Sequence, residues 1–252
     1  MRFAWLGSGS RGNAALVESD GHCIMVDCGF GLKAAELRLA RLGRAPADVD
    51  AILVTHEHSD HIGGVARFAA KHRIRVMTTC GTARGFRATP PPQLERISAH
   101  EPFSIGPLAV TPMPVPHDAH EPCQFVFHDG AVKLGIVTDL GWVTAHVIET
   151  LQGCDALAVE CNHDEAMLAS GPYPPPLRRR VGGELGHLSN GQAAGLLAAL
   201  QPGRLRHVVA LHLSEANNTP ALAQVALAGA LGCRPGEVAV ADQAAGLGWR
   251  EL

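Results

Sequence analysis

The chain of 252 residues carries 21 Lys and Arg against 24 Asp and Glu, a formal charge of −3, with 46% apolar and 18% charged residues. A chain of this length buries roughly three quarters of its unfolded surface, and the balance of apolar and charged residues excludes intrinsic disorder. No apolar run reaches the about 18 residues that a membrane span needs, and the near-neutral charge excludes a uniformly basic surface, although two bound divalent cations would alter the local field.

Residues 2–6, 13–18 and 22–26 read as strands of a meander, the last two turning through Ser19, Asp20 and Gly21. Leu32, Ala35, Leu39 and Leu42 follow helical spacing, and Pro46 closes that helix ahead of a buried strand at 51–54. A helix over 63–72 is followed by strands at 74–77, 108–111, 124–127 and 132–137, the last two joined by the Asp129-Gly130 hairpin signal. Residues 143–151 read as helix and 156–159 as buried strand. The four prolines within 171–180 predict an irregular segment, since each removes a backbone donor. Ser189-x-x-Gln192 is a capping box that opens a helix through Leu200. A strand at 207–213 and a helix at 220–231, with Thr219 as its cap and Pro220 in first position, complete the order. This last unit repeats the strand-loop-helix order of 51–72, again with histidine at the strand end. No linker divides the chain, so residues 1–252 are expected to form one domain.

Seven cysteines with no C-x-x-C pair read as scattered reduced thiols. The opening MRFAWLGSGSRGN lacks a charged start, a long apolar stretch and a small-residue cleavage site, so a cytoplasmic location is expected. Gly7-x-Gly9-x-x-Gly12 fits the dinucleotide fingerprint formally, but residues 13–17 read as strand rather than helix, so no nucleotide cofactor is expected.

The densest chemical signal is Thr55-His56-Glu57-His58-Ser59-Asp60-His61, which holds three of the 14 histidines and sits between an apolar strand and Gly63-Gly64. In extended backbone His56 and His58 face the same way, whereas Asp60 and His61 lie in the turn beyond and can converge from another side. One loop can therefore serve two adjacent metals. Imidazole and carboxylate suit zinc, manganese or iron, and a set without thiolate leaves coordination positions for water. A polar loop whose histidines cap the next helix is the alternative, and it suits a lone histidine better than an H-x-H-x-D-H run at a strand end.

This motif resembles the main signature of the metallo-β-lactamase fold superfamily, whose other motifs occur in order: Asp27 after 23–26, His117 in Pro114-Val115-Pro116-His117-Asp118, Asp139 in Val137-Thr138-Asp139-Leu140-Gly141, and His212 in Ala210-Leu211-His212-Leu213-Ser214. The resemblance implies an α/β fold, a four-layer αββα sandwich. It also implies two divalent ions, with His56, His58 and His117 on one, Asp60, His61 and His212 on the other, Asp139 between them, and Asp27 orienting the histidine loop from behind. Aspartate rather than cysteine at position 139 resembles phosphodiesterase and glyoxalase II members, which argues against β-lactam hydrolysis. Residues 6–13, 160–164, 186–190 and 212–219 are similar to the YycJ/WalJ group, which implies 5′-to-3′ exonuclease action on DNA. Glu160 and His187 are similar to RNase Z positions, where the histidine acts beside the scissile phosphate. No inserted β-CASP domain fits in this length.

On this basis Asp60, His187 and Glu160 are the expected catalytic residues, and Ser10, Asn13, Asn217 and Asn218 the expected substrate contacts. Two ions about 4 Å apart can share a hydroxide and neutralise a phosphoryl group. His187 precedes the helix capped by Ser189, so an imidazolium there and the free N–H groups of the helix start would both favour a phosphate oxygen or leaving alkoxide. Without the resemblance, His187 reads first as a helix-entry residue bonded to a carbonyl. Tyr173 with Arg178, Arg179 and Arg180 is either a track for a phosphate backbone or a solvated basic loop, and His163 and Asp164 carry no assigned role. The expected partner is nucleic acid, DNA first, with no membrane. Hydrolysis of small thioesters or lactones is the alternative activity, and a non-enzymatic metal or nucleic-acid binding module is the reading from a different class.

Overall fold

The computed structural model describes residues 1–86, 88–200 and 202–252, Pro202 by its backbone alone. The chain opens as the expected meander: β1 (Arg2–Gly7), β2 (Ala14–Ser19) and β3 (His22–Val26) pair antiparallel. Helix α1 (Leu32–Arg41) then crosses over to β4 (Ala51–Leu53), which lies parallel to β3. After α2 (Ser59–Ile62) and α3 (Val65–His72) come β5 (Arg75–Thr78) and β6 (Leu94–Arg96), each parallel to the strand before it.

The second sheet begins with β7 (Phe103–Ile105), β8 (Leu108–Pro114), β9 (Cys123–His128) and β10 (Lys133–Val137), all antiparallel neighbours. Helix α4 (Ala145–Leu151) leads into the parallel strand β11 (Ala156–Glu160). Helices α5 (Glu165–Ser170), α6 (Pro175–Val181) and α7 (Asn190–Ala199) precede β12 (His207–Leu211), and α8 (Pro220–Leu231) precedes β13 (Ala239–Val240). The last strand, β14 (Leu247–Glu251), returns to the first sheet beside β1. The two mixed sheets run β14-β1-β2-β3-β4-β5-β6 and β13-β12-β11-β10-β9-β8-β7.

The period-2 alternation of the strands sorts their side chains into layers. Ile24, Val26, Ala51 and Leu53 meet Phe125, Phe127, Ile136, Ala158 and Val209 between the sheets. Their neighbours Cys23, Met25, Ile52 and Val54 face the other way, against Leu39 of α1 and Val65 and Phe68 of α3. On the second sheet Leu157, Val159 and Ala210 pack against Val147 of α4, Leu196 of α7 and Leu227 of α8. The result is the αββα sandwich that the resemblance implied.

Three expectations are corrected. The segment 171–180 is not irregular throughout, because Pro175 and Pro176 occupy the first turn of α6, where no intrahelical N–H bond is required. The helix over 63–72 begins only at Val65, as α3, and a separate short helix, α2, precedes it over Ser59–Ile62. Between the two, a Cβ on Gly64 would lie 1.8 Å from the Phe30 carbonyl oxygen, so only glycine permits that approach. The strand over 207–213 stops at Leu211, because His212 takes a left-handed φ of 52°. Both anticipated caps are present: Ser189 Oγ accepts from Gln192 N at 3.1 Å while Ser189 N donates to Gln192 Oε1 at 2.9 Å, and Thr219 Oγ1 accepts from Leu222 N at 3.3 Å. Past Gly12 the chain enters β2, not a helix. Among the described residues no helix is long and apolar enough to cross a membrane.

Candidate metal centre

Parallel pairing aligns the carboxyl ends of β3 with β4 and of β10 with β11 and β12. Asp27 therefore emerges beside Thr55-His56, and Asp139 beside Glu160 and His212. Asp27, Asp139 and His212 each leave their strand at a left-handed φ, 59°, 50° and 52°. For non-glycine residues this costs about 1–3 kcal/mol apiece, and side-chain hydrogen bonds hold all three in place.

Asp27 fixes the histidine loop. Its Oδ1 accepts from Thr55 N at 2.8 Å, and its Oδ2 accepts from Thr55 Oγ1 at 2.8 Å and from His61 Nδ1 at 2.7 Å. Because Thr55 Oγ1 spends its proton on Asp27, it accepts from His56 Nδ1 at 3.0 Å. That leaves His56 Nε2 as a lone pair, buried and without any partner. His58 Nε2 lies 3.2 Å from the Asp118 carbonyl oxygen, and His117 Nδ1 lies 3.0 Å from that of Gly186. A carbonyl can only accept, so both of those nitrogens carry protons and the lone pairs fall on His58 Nδ1 and His117 Nε2, which face each other at 3.2 Å. Three imidazole lone pairs thus converge within one group, His56, His58 and His117. With no proton among them, the arrangement fits a cation. Burial, and then the neighbouring His61, push His56 well below its ordinary pKa, and burial likewise lowers His117, so both rings are held in the neutral form a metal needs.

A second group joins Asp60, His61 and His212. With His61 Nδ1 tied to Asp27, its Nε2 stands 3.4 Å from Asp60 Oδ2 and 3.0 Å from Asp139 Oδ2. His212 Nε2 lies 3.4 Å from Asp60 Oδ2, while its Nδ1 turns to Asp139 Oδ2 at 3.1 Å and Glu160 Oε1 at 3.3 Å. Burial works against charging His61 and His212, but the carboxylates together outweigh it: Asp139 with Asp27 at His61, and Asp139 with Asp60 and Glu160 at His212. The same ring of carboxylates that draws protons onto these nitrogens attracts divalent cations, and the two compete. Asp139 also stands 3.9 Å from His117 Nε2, so its two oxygens face the two groups. The donor set accommodates two divalent ions, and oxygen and imidazole ligands suit zinc or manganese.

Glu160 and His187 adjoin this centre. Glu160 is fully buried. Its Oε2 accepts from Leu140 N at 2.9 Å and Leu188 N at 3.1 Å, and its Oε1 lies 2.8 Å from His187 Nδ1. Burial opposes a charge on His187, but Glu160 and then Asp139, whose Oδ1 is 3.4 Å away, raise its pKa. His187 Nε2 has no hydrogen bond within the described chain.

The four anticipated substrate contacts fall in different surroundings. Ser10 is exposed. Asn13 is buried against the centre, its Nδ2 3.3 Å from Asp60 Oδ2 and its Oδ1 accepting from Gly9 N at 2.8 Å. Asn218 is buried and donates to the Cys161 carbonyl at 2.7 Å and to Asn190 Oδ1 at 2.9 Å; Asn217, next to it, is also buried, with Nδ2 3.4 Å from Ser214 Oγ. Asp164 caps α5 through Met167 N at 2.9 Å, and Arg180 Nε donates to Asp118 Oδ2 at 2.6 Å. His163 is buried, with Nδ1 unpartnered. Two residues that sequence reasoning passed over are Thr55 and Thr138, each immediately ahead of a centre residue. Thr138 Oγ1 donates to Asp139 Oδ2 at 2.7 Å, and their position before His56 and Asp139 was the available signal.

Comparison with known proteins agrees with this geometry. The sequence profile described as "Beta-lactamase superfamily domain" matches residues 22–212. The chain is 34% identical over 231 residues to the Bacillus anthracis protein named Exodeoxyribonuclease YycJ, spanning 90% of this chain and 88% of that one. It is 30% identical over 235 residues to Exodeoxyribonuclease WalJ of Streptococcus pneumoniae, spanning 90% and 87%. In fold it is similar to the metallo-β-lactamase fold protein YhfI of Bacillus subtilis, with a TM-score of 0.77 at 17% identity over 100% and 99% of the two chains. Profile, fold and donor set agree: the chain belongs to the metallo-β-lactamase superfamily and is a metal-dependent hydrolase with a dinuclear centre.

Proposed function

We propose that this chain, acting as one domain over residues 1–252, hydrolyses the phosphodiester bonds of DNA and removes nucleotides in the 5′-to-3′ direction. The observation that carries the reading is the Glu160–His187 pair, 2.8 Å apart and set against Asp139. Phosphodiester hydrolysis expels an alkoxide, a strong base that needs a proton, whereas a thioester's thiolate leaves without one. A histidine held by a buried carboxylate beside a dinuclear centre suits the first reaction and is superfluous in the second. The names of the Bacillus anthracis and Streptococcus pneumoniae relatives, both exodeoxyribonucleases, point the same way.

In this reading His56, His58 and His117 would hold one ion and Asp60, His61 and His212 the other, with Asp139 between them. When bound, the ions supply Lewis acidity at the phosphoryl oxygens and a water ionised near neutral pH. Asp60, tied by the Asn13 amide, orients the attacking water from the side of His61. His187 carries a proton on Nε2 for the leaving oxygen, while Glu160 accepts from Nδ1 and stabilises the imidazolium. The start of α7, capped by Ser189 two residues on, adds a partial positive charge that favours phosphate. Ser10, which is exposed, would contact the phosphate backbone, whereas the buried Asn13, Asn217 and Asn218 would shape the surrounding loops.

The test is to strip the protein of metal, resupply Mn²⁺ or Zn²⁺, and offer 5′- and 3′-labelled duplex and single-stranded DNA beside a small thioester. Immediate release of the 5′ label as mononucleotide, with gradual shortening of the 3′-labelled strand, is the expected result. Rapid thioester turnover with every DNA untouched would replace this reading with a small-ester hydrolase.

A further inference from the structure

Five large apolar side chains stand exposed among the described residues, and two of them, Trp142 and Leu185, rise from the loops that carry the centre. Trp142 is 52% exposed and follows Asp139 by three positions; Leu185 is 55% exposed and precedes His187 by two. The loops touch. A Cβ on Gly141 would lie 2.3 Å from the Glu184 carbonyl oxygen and 2.8 Å from Gly186 N, so glycine at 141 is what lets the two backbones meet. Both loops are tied to the centre: Gly141 N donates to the Pro116 carbonyl at 2.8 Å, Asp118 N to that of Leu185 at 3.0 Å, and Glu160 Oε2 accepts from Leu140 N and Leu188 N.

The other two tryptophans are spoken for. Trp5 is buried edge-on against Phe3, their ring centroids 5.7 Å apart, and Trp249 donates to the Leu42 carbonyl at 2.9 Å under the Arg2 guanidinium, 4.3 Å from its ring. Trp142 has no hydrogen bond, ring partner or cation partner among the described residues. The exposed half of the Trp142 indole leaves apolar surface in water that nothing among the described residues covers. Arg180 of α6 reaches Asp118, whose N–H donates to the Leu185 carbonyl, so a cation adjoins the Leu185 loop; Arg179 and Arg178, the latter bonded to the Ala169 carbonyl, follow the same helix.

We propose that Trp142 is a stacking platform for a nucleobase of the substrate adjacent to the scissile phosphate, with Leu185 as its apolar edge and the α6 arginines receiving the phosphate backbone. This rests on the nuclease reading. With its ions bound the centre would hold one phosphate, and a base one nucleotide away would then fall to the neighbouring loops. Stacking is sequence-tolerant because every base offers a π-face, so the platform serves an enzyme that must process any sequence.

The test crosses a protein change with a substrate change. Wild type, Trp142→Ala and Trp142→Phe are assayed on a labelled single-stranded oligonucleotide and on the same strand made abasic at the nucleotides flanking the cleaved bond. Metal content and thermal midpoint are checked for each protein. Trp142→Ala is expected to raise KM on the intact strand by about 5- to 150-fold. Trp142→Phe should recover most of that loss, and on the abasic strand wild type and Trp142→Ala should agree within about twofold. Oligonucleotide binding should also quench the exposed-indole fluorescence of wild type and not of Trp142→Ala. Equal KM for wild type and Trp142→Ala on the intact strand, or an equal loss on both strands, overturns the platform while leaving the nuclease reading standing. If wild type with two bound ions cleaves neither strand, the nuclease reading itself has failed and the platform falls with it.

Discussion

Replacing Glu160 by glutamine keeps the shape of a fully buried side chain and changes what its two ends can do. Oε2 accepts from two backbone N–H groups, of Leu140 and Leu188, and Oε1 faces Nδ1 of both His187 and His212. If the glutamine NH₂ faced the backbone donors, two buried N–H groups would lose their acceptor at about 1–3 kcal/mol each. The amide therefore turns its oxygen to the backbone and its NH₂ to the histidines, which can answer by moving their own protons from Nδ1 to Nε2. For His212 that is the wrong tautomer, because Nε2 is the atom facing Asp60 and the second metal group. Loss of such an orienting carboxylate costs about 10- to 100-fold in metal affinity. At His187 the change removes a charge-assisted hydrogen bond of about 1.5–3 kcal/mol, which corresponds to roughly 10- to 150-fold in a step that needs the imidazolium. The assay is zinc binding in a chelator-buffered series, with circular dichroism to confirm the fold, followed by turnover at saturating metal. The expected outcome is a folded protein that binds one ion normally and the other weakly. Wild-type affinity for both ions would refute the tautomer argument.

Asp27→Asn tests the other orienting carboxylate. Asparagine tolerates the left-handed φ of 59°, so the backbone should hold, but one amide end can no longer accept from Thr55 and His61. A loss of about 10- to 100-fold in affinity for the ion at His61 is expected by equilibrium dialysis, and unchanged affinity would show that the loop orients itself. Asp129 provides a pH test remote from the centre. Against the opposing effect of burial, the backbone N–H groups of Val132 and Ala131 and the chain's amino group hold its carboxyl at about 2. A depressed folded pKa stabilises above the unfolded value and is lost as pH falls, here through the window from about 4 to about 2. Asp129→Asn should therefore melt below wild type at pH 7 and converge with it near pH 2; melting curves separated by a constant interval would contradict this.

The ligand loop was legible because its chemistry is local: three histidines and an aspartate fall within six residues after an apolar strand. The central strands were legible for the same reason, since the continuous apolar runs at 23–26 and 51–54 report strands buried on both faces. What escaped depends on partners far away in sequence. Leu94–Arg96 and Leu247–Glu251 are short edge strands with exposed polar residues, and each becomes a strand only by pairing with β5 or β1. Helix α6 is not legible from the proline count of its segment, because the cost of proline depends on its position and the first turn of a helix tolerates it. The left-handed turns at Asp27, Asp139 and His212 leave no mark in composition, yet they release these side chains from the strand alternation. Glu160 and His187 lie 27 positions apart, and only the pairing of β11 with its neighbours and the capped start of α7 bring them together.

The most direct measurement is activity against bound-metal stoichiometry. Stripped protein receives zero, one, two and three equivalents of Mn²⁺ or Zn²⁺, and bound ions and DNA hydrolysis are read on the same samples, beside Asp139→Asn. The expected result is hydrolysis that rises only as the second equivalent binds and saturates at two, with the variant inactive at every ratio. Full activity in the stripped protein, saturation at one ion, or an active Asp139→Asn would contradict a centre that needs two ions and the Asp139 carboxylate.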